Sequence, residues 1–143
     1  MAQLNDGYYF KSSLFSVTEG EDEQTNPGIY GKSLAEWLVE GFTNCGYTNL
    51  EVIAEDWGWC IFIKEDEHSS MFIGCGSLNT DPDETLPEEI EWHVFLFSEI
   101  GLLNFKSKIL NLLGKVDLHA PLQQIDKDLR MIFCDAGINL SEQ

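Results

Sequence analysis

Two hydrophobic periods alternate along this chain, and the switches between them mark its elements. Residues 8–17 (YYFKSSLFSV) have strand composition, and residues 18–28 (TEGEDEQTNPG) read as an acidic loop closing on Pro27-Gly28. The period then becomes helical. Leu34, Trp37, Leu38, Gly41, Phe42 and Cys45 fall at i, i+3, i+4, i+7, i+8 and i+11, which is one helix face. Ser33 followed three residues later by Glu36 predicts a capping box, and Gly46 is placed as the C′ residue. Gly41, inside the apolar stripe, predicts a close approach of this helix to a sheet.

Period two returns over residues 50–54 (LEVIA). The runs 57–64 (WGWCIFIK) and 71–78 (MFIGCGSL) flank the polar stretch EDEHSS and predict a hairpin. Symmetric pairing about that stretch makes opposed residue numbers sum to about 135. Trp59 would then face Gly76, Ile61 would face Gly74 and Cys60 would face Cys75. Residues 79–89 (NTDPDETLPEE) are a second acidic loop, and 90–97 (IEWHVFLF) a further strand, buried on both faces near its end. Two helical stripes close the chain. The first spans roughly 99–113, with Leu102, Phe105, Ile109, Leu112 and Leu113, and stops at Gly114. The second starts near Pro121 as N1, carries Leu122, Ile125, Leu129, Ile132, Phe133 and Ala136, and ends at Gly137. The order β–α–β–β–β–β–α–α with short strand connections predicts one α+β domain over residues 1–143. Its sheet is antiparallel, of about five strands, with the helices mainly on one face.

Composition agrees with a packed core. Apolar residues make up 43% of the 143, with nine Phe and four Trp, which separates this chain from disordered sequences of similar charge. No apolar run approaches the roughly 18 residues of a membrane span. The start, MAQLNDGYYFKSS, has no signal-peptide pattern, so the expected location is cytoplasmic and no membrane partner is expected. Cys45, Cys60, Cys75 and Cys134 form no C-x-x-C pair and have no histidine at ligand spacing, which predicts reduced thiols and no zinc.

Charge adds the sharpest feature. The formal net charge is −17, and residues 1–100 hold 20 Asp and Glu against three Lys, whereas the remainder is balanced. The carboxylates gather at Glu19–Glu23, at Glu51, Glu55 and Asp56, at Glu65–Glu67 and at Asp81–Glu91. Scattered over the surface they would only keep the protein soluble. Gathered on one face, they would mimic a phosphate array or complement a basic cleft. With one Arg and seven Lys the chain is a poor match for nucleic acid itself. Asp81 and Asp83 alternate as calcium ligands do, but the loop lacks the turn glycine and is stiffened by Pro82 and Pro87, so no metal is expected there.

No G-x-S-x-G, H-E-x-x-H, P-loop or G-x-G-x-x-G motif occurs, and no cofactor is implied. An enzyme built on this chain would use Cys60 or Cys75 with His68, His93 or His119. Gly74-Cys75-Gly76 looks like a nucleophile turn, but its place in an apolar strand favours close backbone packing, and surrounding acids disfavour a thiolate. Glu55-Asp56-Trp57-Gly58-Trp59 is the most distinctive pentapeptide. Strand periodicity sets both tryptophans on one face, as a core pair or as an exposed patch suited to a protein interface or a homodimer.

The runs GIYGKSLAEWL and EDWGWCIFI, within residues 28–78, resemble a pattern in small uncharacterised bacterial proteins of the immunity-protein or phage-inhibitor type. The resemblance implies a bacterial or phage origin; the concentrated acidic charge is what points to a non-enzymatic inhibitor. The expected partner is a basic protein, namely a toxin or a nuclease or defence complex. The expected partner-binding residues are Glu21, Asp22, Glu23, Glu65, Asp66, Glu67, Asp81, Asp83, Glu84, Glu88 and Glu89. A cysteine-dependent enzyme and a structural or assembly protein with a solubilising surface are the competing readings.

Overall fold

The computed structural model describes residues 2–3, 7–64, 70–78, 81–99 and 119–142. Its strands are β1 (Ala2–Gln3), β2 (Tyr8–Lys11), β3 (Glu51–Glu55), β4 (Gly58–Lys64), β5 (Ser70–Ser77) and β6 (Glu91–Glu99); its helices are α1 (Lys32–Asn44) and α2 (His119–Asp135). Every pairing is antiparallel. β1 and β2 both pair with β6 and share one lane, so the sheet has five lanes in the order β1/β2, β6, β5, β4, β3. This is the α+β architecture that the hydrophobic pattern predicts. Of the predicted helix over 99–113, residue 99 is instead the last of β6, and the rest lies outside the described residues.

Both helices pack on one face. There Leu34, Leu38 and Phe42 of α1 and Leu122, Leu129 and Phe133 of α2 meet Ile61, Ile73, Val94 and Leu96 of the sheet. Gly41 does let α1 approach a neighbour closely, but the neighbour is α2 rather than the sheet. A Cβ at Gly41 would lie 3.0–3.3 Å from the Ile132 side chain. Both helices end in a Schellman motif. In α1, the Tyr47 and Gly46 amides donate to the Phe42 and Thr43 carbonyls, Gly46 has φ 98°, and Tyr47 packs edge-on against Phe42. In α2, the Ile138 and Gly137 amides donate to Phe133 and Cys134, with Gly137 at φ 75°. α2 begins at His119, so Pro121 sits inside the first turn, where its missing N–H still costs no helical bond.

Four local expectations need correction. The strand from residue 8 ends at Lys11, because Ser12 accepts the Leu14 amide at 3.1 Å in a tight turn that sends Phe15 into the core. The capping box does not form. Ser33 lies inside α1, whose N-cap is Gly31, and its hydroxyl accepts from the Ser16 amide instead. The β4–β5 register sums to 134, so Trp59 faces Cys75, Cys60 faces Gly74 and Ile61 faces Ile73. Cys60 and Cys75 therefore project to opposite faces. Finally, Trp57 and Trp59 do not share a face. Trp57 lies in the two-residue turn joining β3 to β4, where period two does not apply. It is 40% exposed, whereas Trp59 is buried under the helices at 4%.

The sheet edges are handled differently. At β2 the Tyr9 amide donates to the Ser141 carbonyl at 2.8 Å and the Ser141 amide returns to Tyr9 at 3.0 Å, so the chain end covers that edge. β3 is the other edge, and its outward residues Glu51, Ile53 and Glu55 are exposed. Antiparallel self-pairing centred on Ile53 would set Glu51 against Glu55, a like-charge clash that discourages edge-to-edge association.

Candidate functional site: the acidic end and the open aromatic face

The connectivity brings most of the acidic segments to one end of the sheet. β3 ends, β4 begins, β5 ends and β6 begins there, because Glu55 pairs with Gly58 and Ser77 with Trp92. Lys11 pairs with Glu91, so the loop leaving β2 starts at this end too.

Loop 18–31 is fastened there by polar bonds and glycine contacts. The Asn26 side chain donates to the Asp56 carbonyl at 2.7 Å, tying the loop to the β3–β4 turn. Asn26-Pro27-Gly28-Ile29 is a turn closed by the Ile29 amide on the Asn26 carbonyl at 2.9 Å, with Gly28 at φ 83°. The Tyr30 amide donates to Ser77 Oγ at 2.9 Å. Three backbone segments crowd together at Gly31, Gly58 and Gly76. A Cβ on Gly31 or Gly58 would come within 2.6 or 2.3 Å of the Cys75 carbonyl oxygen, and one on Gly76 within 3.0 Å of the Trp57 carbonyl. Close backbone packing is thus the role of Gly76 in the Gly74-Cys75-Gly76 run.

The individual carboxylates divide into two kinds. Glu21 is buried at 4%, and its Oε2 accepts the Gly31 and Lys32 amides at 2.8 and 3.1 Å, capping α1 from eleven residues away. It is removed from the surface that a partner could reach. Asp22 is half-buried and accepts the Gly28 amide at 2.9 Å. Asp81 accepts the Asp83 amide at 3.0 Å in an Asx turn, yet it stays exposed. Glu23, Asp83, Glu84, Glu88 and Glu89 are exposed. Glu65, Asp66 and Glu67 lie outside the described residues; Lys64 and Ser70, which bracket them, pair at the opposite end of the sheet.

The two large acidic loops meet. Val17, Thr18, Glu19, Gly20, Asp22 and Tyr30 on one side and Pro82 and Asp83 on the other line an open cleft of about 480 Å3. Tyr30 sits between them. Burial raises its phenol pKa, and the charge and hydrogen bond of Asp22 and the charges of Glu21 and Asp81 push the same way. The three carboxylates act on the phenol together because they gather at the same end of the sheet. Lys32, next along the chain from Gly31, lies over the Trp59 ring at 5.4 Å.

The sheet face opposite the helices carries a feature that hydrophobic periodicity did not isolate. Rings run along it in contact. Tyr9 stacks on His93 at 4.4 Å, His93 on Phe95 at 5.0 Å and Phe95 on Phe97 at 5.6 Å. Phe97 stacks on Phe72 at 4.9 Å, and Phe72 meets Phe62 at 5.4 Å. Phe95 needs Gly74 beneath it, since a Cβ there would lie 2.3 Å from the ring. Trp57 leans on Phe95 and Phe97 at 5.1 and 6.0 Å, joining this array to the acidic turn Glu55-Asp56. The available signal was the alternation of Phe62, Phe72, His93, Phe95 and Phe97 on neighbouring strands. That alternation does not stand out in the sequence, because the same strands are apolar on both faces.

The thiols are poorly placed for catalysis. Cys75 is fully buried on the helix side, while His93 lies on the open face across from Gly76. Burial, with a smaller contribution from Cys60, holds the Cys75 thiol well above its usual range, so it stays protonated and weakly nucleophilic. Cys60 is also buried, and Cys45 and Cys134 are exposed. Among the described residues no group of three or more His, Cys, Asp or Glu is arranged to hold a metal ion, and no helix is long and apolar enough to cross a membrane.

Among the described residues, fold and site together define a small antiparallel α+β protein with an acidic end and an aromatic sheet face opposite its two helices. Comparison with protein-family models, curated proteins and solved structures yields no match.

Proposed function

We propose that this chain is a non-enzymatic cytoplasmic inhibitor that neutralises a basic protein, as a toxin immunity protein or a phage-encoded inhibitor of a nuclease or defence complex does. The observation that carries this reading is the meeting of loops 17–31 and 81–89 at one end of the sheet, beside Glu55 and Asp56. A purely solubilising charge has no need to converge. The working surface consists of Glu23, Asp81, Asp83, Glu84, Glu88 and Glu89, which are exposed, with half-buried Asp22 completing it.

Such a surface speeds encounter with a cationic cleft and occupies it in place of a phosphate backbone. Screening over about 10 Å at 0.1 M salt makes that encounter salt-sensitive. The test compares wild type with a variant carrying Glu23→Gln, Asp83→Asn, Glu84→Gln, Glu88→Gln and Glu89→Gln. Each is immobilised and exposed to lysate of the host at low and at 0.5 M salt. A basic protein retained by wild type at low salt, and lost both in high salt and with the variant, is the expected result. Equal retention by the variant would defeat the reading.

A further inference from the structure

We infer that the open aromatic face beside the acidic end is the anchoring half of the interface, and that its occupant is an arginine-bearing segment of the basic partner. This inference rests on the function proposed above and specifies which chemistry meets which surface.

The argument begins with what the face costs. Of the seven contiguous rings on the side away from both helices, Phe97 is buried, Tyr9, Phe62, Phe72, His93 and Phe95 are half-buried, and Trp57 is 40% exposed, leaving aromatic area in water where burial would be favourable. Trp57 is the most exposed of them, and it belongs to the same turn as Asp56. A shallow pocket of about 240 Å3, lined by Trp57, His93, Phe95, Gly76, Ser77 and Leu78, opens beside it.

Charge then selects the occupant. A second copy would bring another −17 against the first, and Glu51 and Glu55 flank Ile53 on the adjoining edge. Single-stranded nucleic acid stacks on such rings in other proteins, but it needs a basic groove, and the border here is Glu55, Asp56 and Glu91. A basic polypeptide fits both properties. Arginine fits better than lysine, because its planar, weakly hydrated guanidinium stacks on an aromatic ring while its N–H groups reach a carboxylate. Trp57 with Asp56 and Glu55 supplies that combination within three consecutive residues.

The test uses two synthetic peptides of equal length and charge, six Arg-Gly repeats and six Lys-Gly repeats, titrated calorimetrically into the full chain at 20 mM salt. Wild type should bind the arginine peptide about fivefold more tightly, the order expected of one or two cation–π contacts. Trp57→Ala should abolish that preference while leaving the lysine affinity unchanged. Trp57→Phe should keep most of the preference, and thermal melts of both variants should match wild type. Equal affinity for the two peptides in wild type, or a preference that survives Trp57→Ala, would overturn the inference and leave the acidic-end reading standing. Failure of both peptides to bind at 20 mM salt would overturn the two together. A wild-type dimer in sedimentation that Trp57→Ala dissociates would also overturn it, since a second copy would then occupy the face.

Discussion

Replacing Glu21 by Ala tests how the acidic end is held together. In wild type its Oε2 accepts two backbone amides, from Gly31 at 2.8 Å and Lys32 at 3.1 Å, at the N-terminus of α1, with the residue itself only 4% exposed. Hydrogen bonds to a charged acceptor contribute about 1.5–3 kcal/mol each when a buried donor would otherwise be orphaned. Loss of an N-cap alone costs about 0.5–2 kcal/mol. Water can enter beside Ser16 and Gln24, which line an open cleft with Glu21 and Lys32, and it will rehydrate part of what is exposed. Relief of repulsion between Glu21 and Asp22 offsets a further fraction. The expected net loss is about 2–3 kcal/mol, or roughly 5–10 °C in Tm for a chain of this size. Glu21→Gln keeps an acceptor but loses the charge that complements the helix dipole, so about 1 kcal/mol is expected. Glu23→Gln, at an exposed position two residues on, should stay within about 0.5 kcal/mol of wild type. Urea titration followed by tryptophan fluorescence gives all three values. If Glu21→Ala proves as harmless as Glu23→Gln, the capping role is wrong and Glu21 belongs with the partner-facing acids.

Three further outcomes follow from the same geometry. Tyr8→Phe removes the hydroxyl that donates to buried Asp126 at 2.5 Å, leaving Asp126 with Arg130 at 3.0 Å. A loss of about 1.5–3 kcal/mol is expected, and in a double-mutant cycle with Asp126→Asn the combined loss should be smaller than the sum; strict additivity would deny the coupling. For the thiols, Cys45 and Cys134 should react with an alkylating reagent in the native state, while Cys60 and Cys75 should react only in denaturant; rapid native labelling of Cys75 would revive a cysteine mechanism. Because the folded Cys75 thiol holds its proton above pH 9.0, where the unfolded one releases it, stability is complete below that pH. It then falls by up to about 1.4 kcal/mol per pH unit above it. Tyr30 adds a loss of the same sign above pH 10.0, and Cys75→Ala should flatten the decline between pH 9 and 10, so an unchanged slope would count against the assignment.

The elements that were legible in the sequence are those set by nearest neighbours. The α1 stripe, the glycines at 46 and 137, the hairpin and the strand at 90–97 all depend on periodicity and on φ values open to glycine. The errors have a common origin. A loop symmetric about EDEHSS predicts a β4–β5 register one residue from the actual one, and a slip of one residue changes every cross-strand partner. The Ser33–Glu36 box is a sound local motif, yet it lost to Glu21, a tertiary cap with full charge. Trp57 and Trp59 parted because two residues of turn replaced two of strand.

From its sequence alone, the chain is committed to an α+β core and to a large negative charge concentrated before residue 100, since composition and periodicity are properties of the chain whatever its path. Where that charge goes is a question of topology. Antiparallel connection brings the loops after β2, β3 and β5 to one end, and the glycines at 31, 58 and 76 let three backbones close on one another there. The aromatic face has the same status. Each ring is an ordinary strand residue in its own segment, and only pairing β5 and β6 side by side stacks Phe72 on Phe97 and leaves the row uncovered by the two helices. Contacts between residues far apart in sequence are set by long-range packing, which no local window contains.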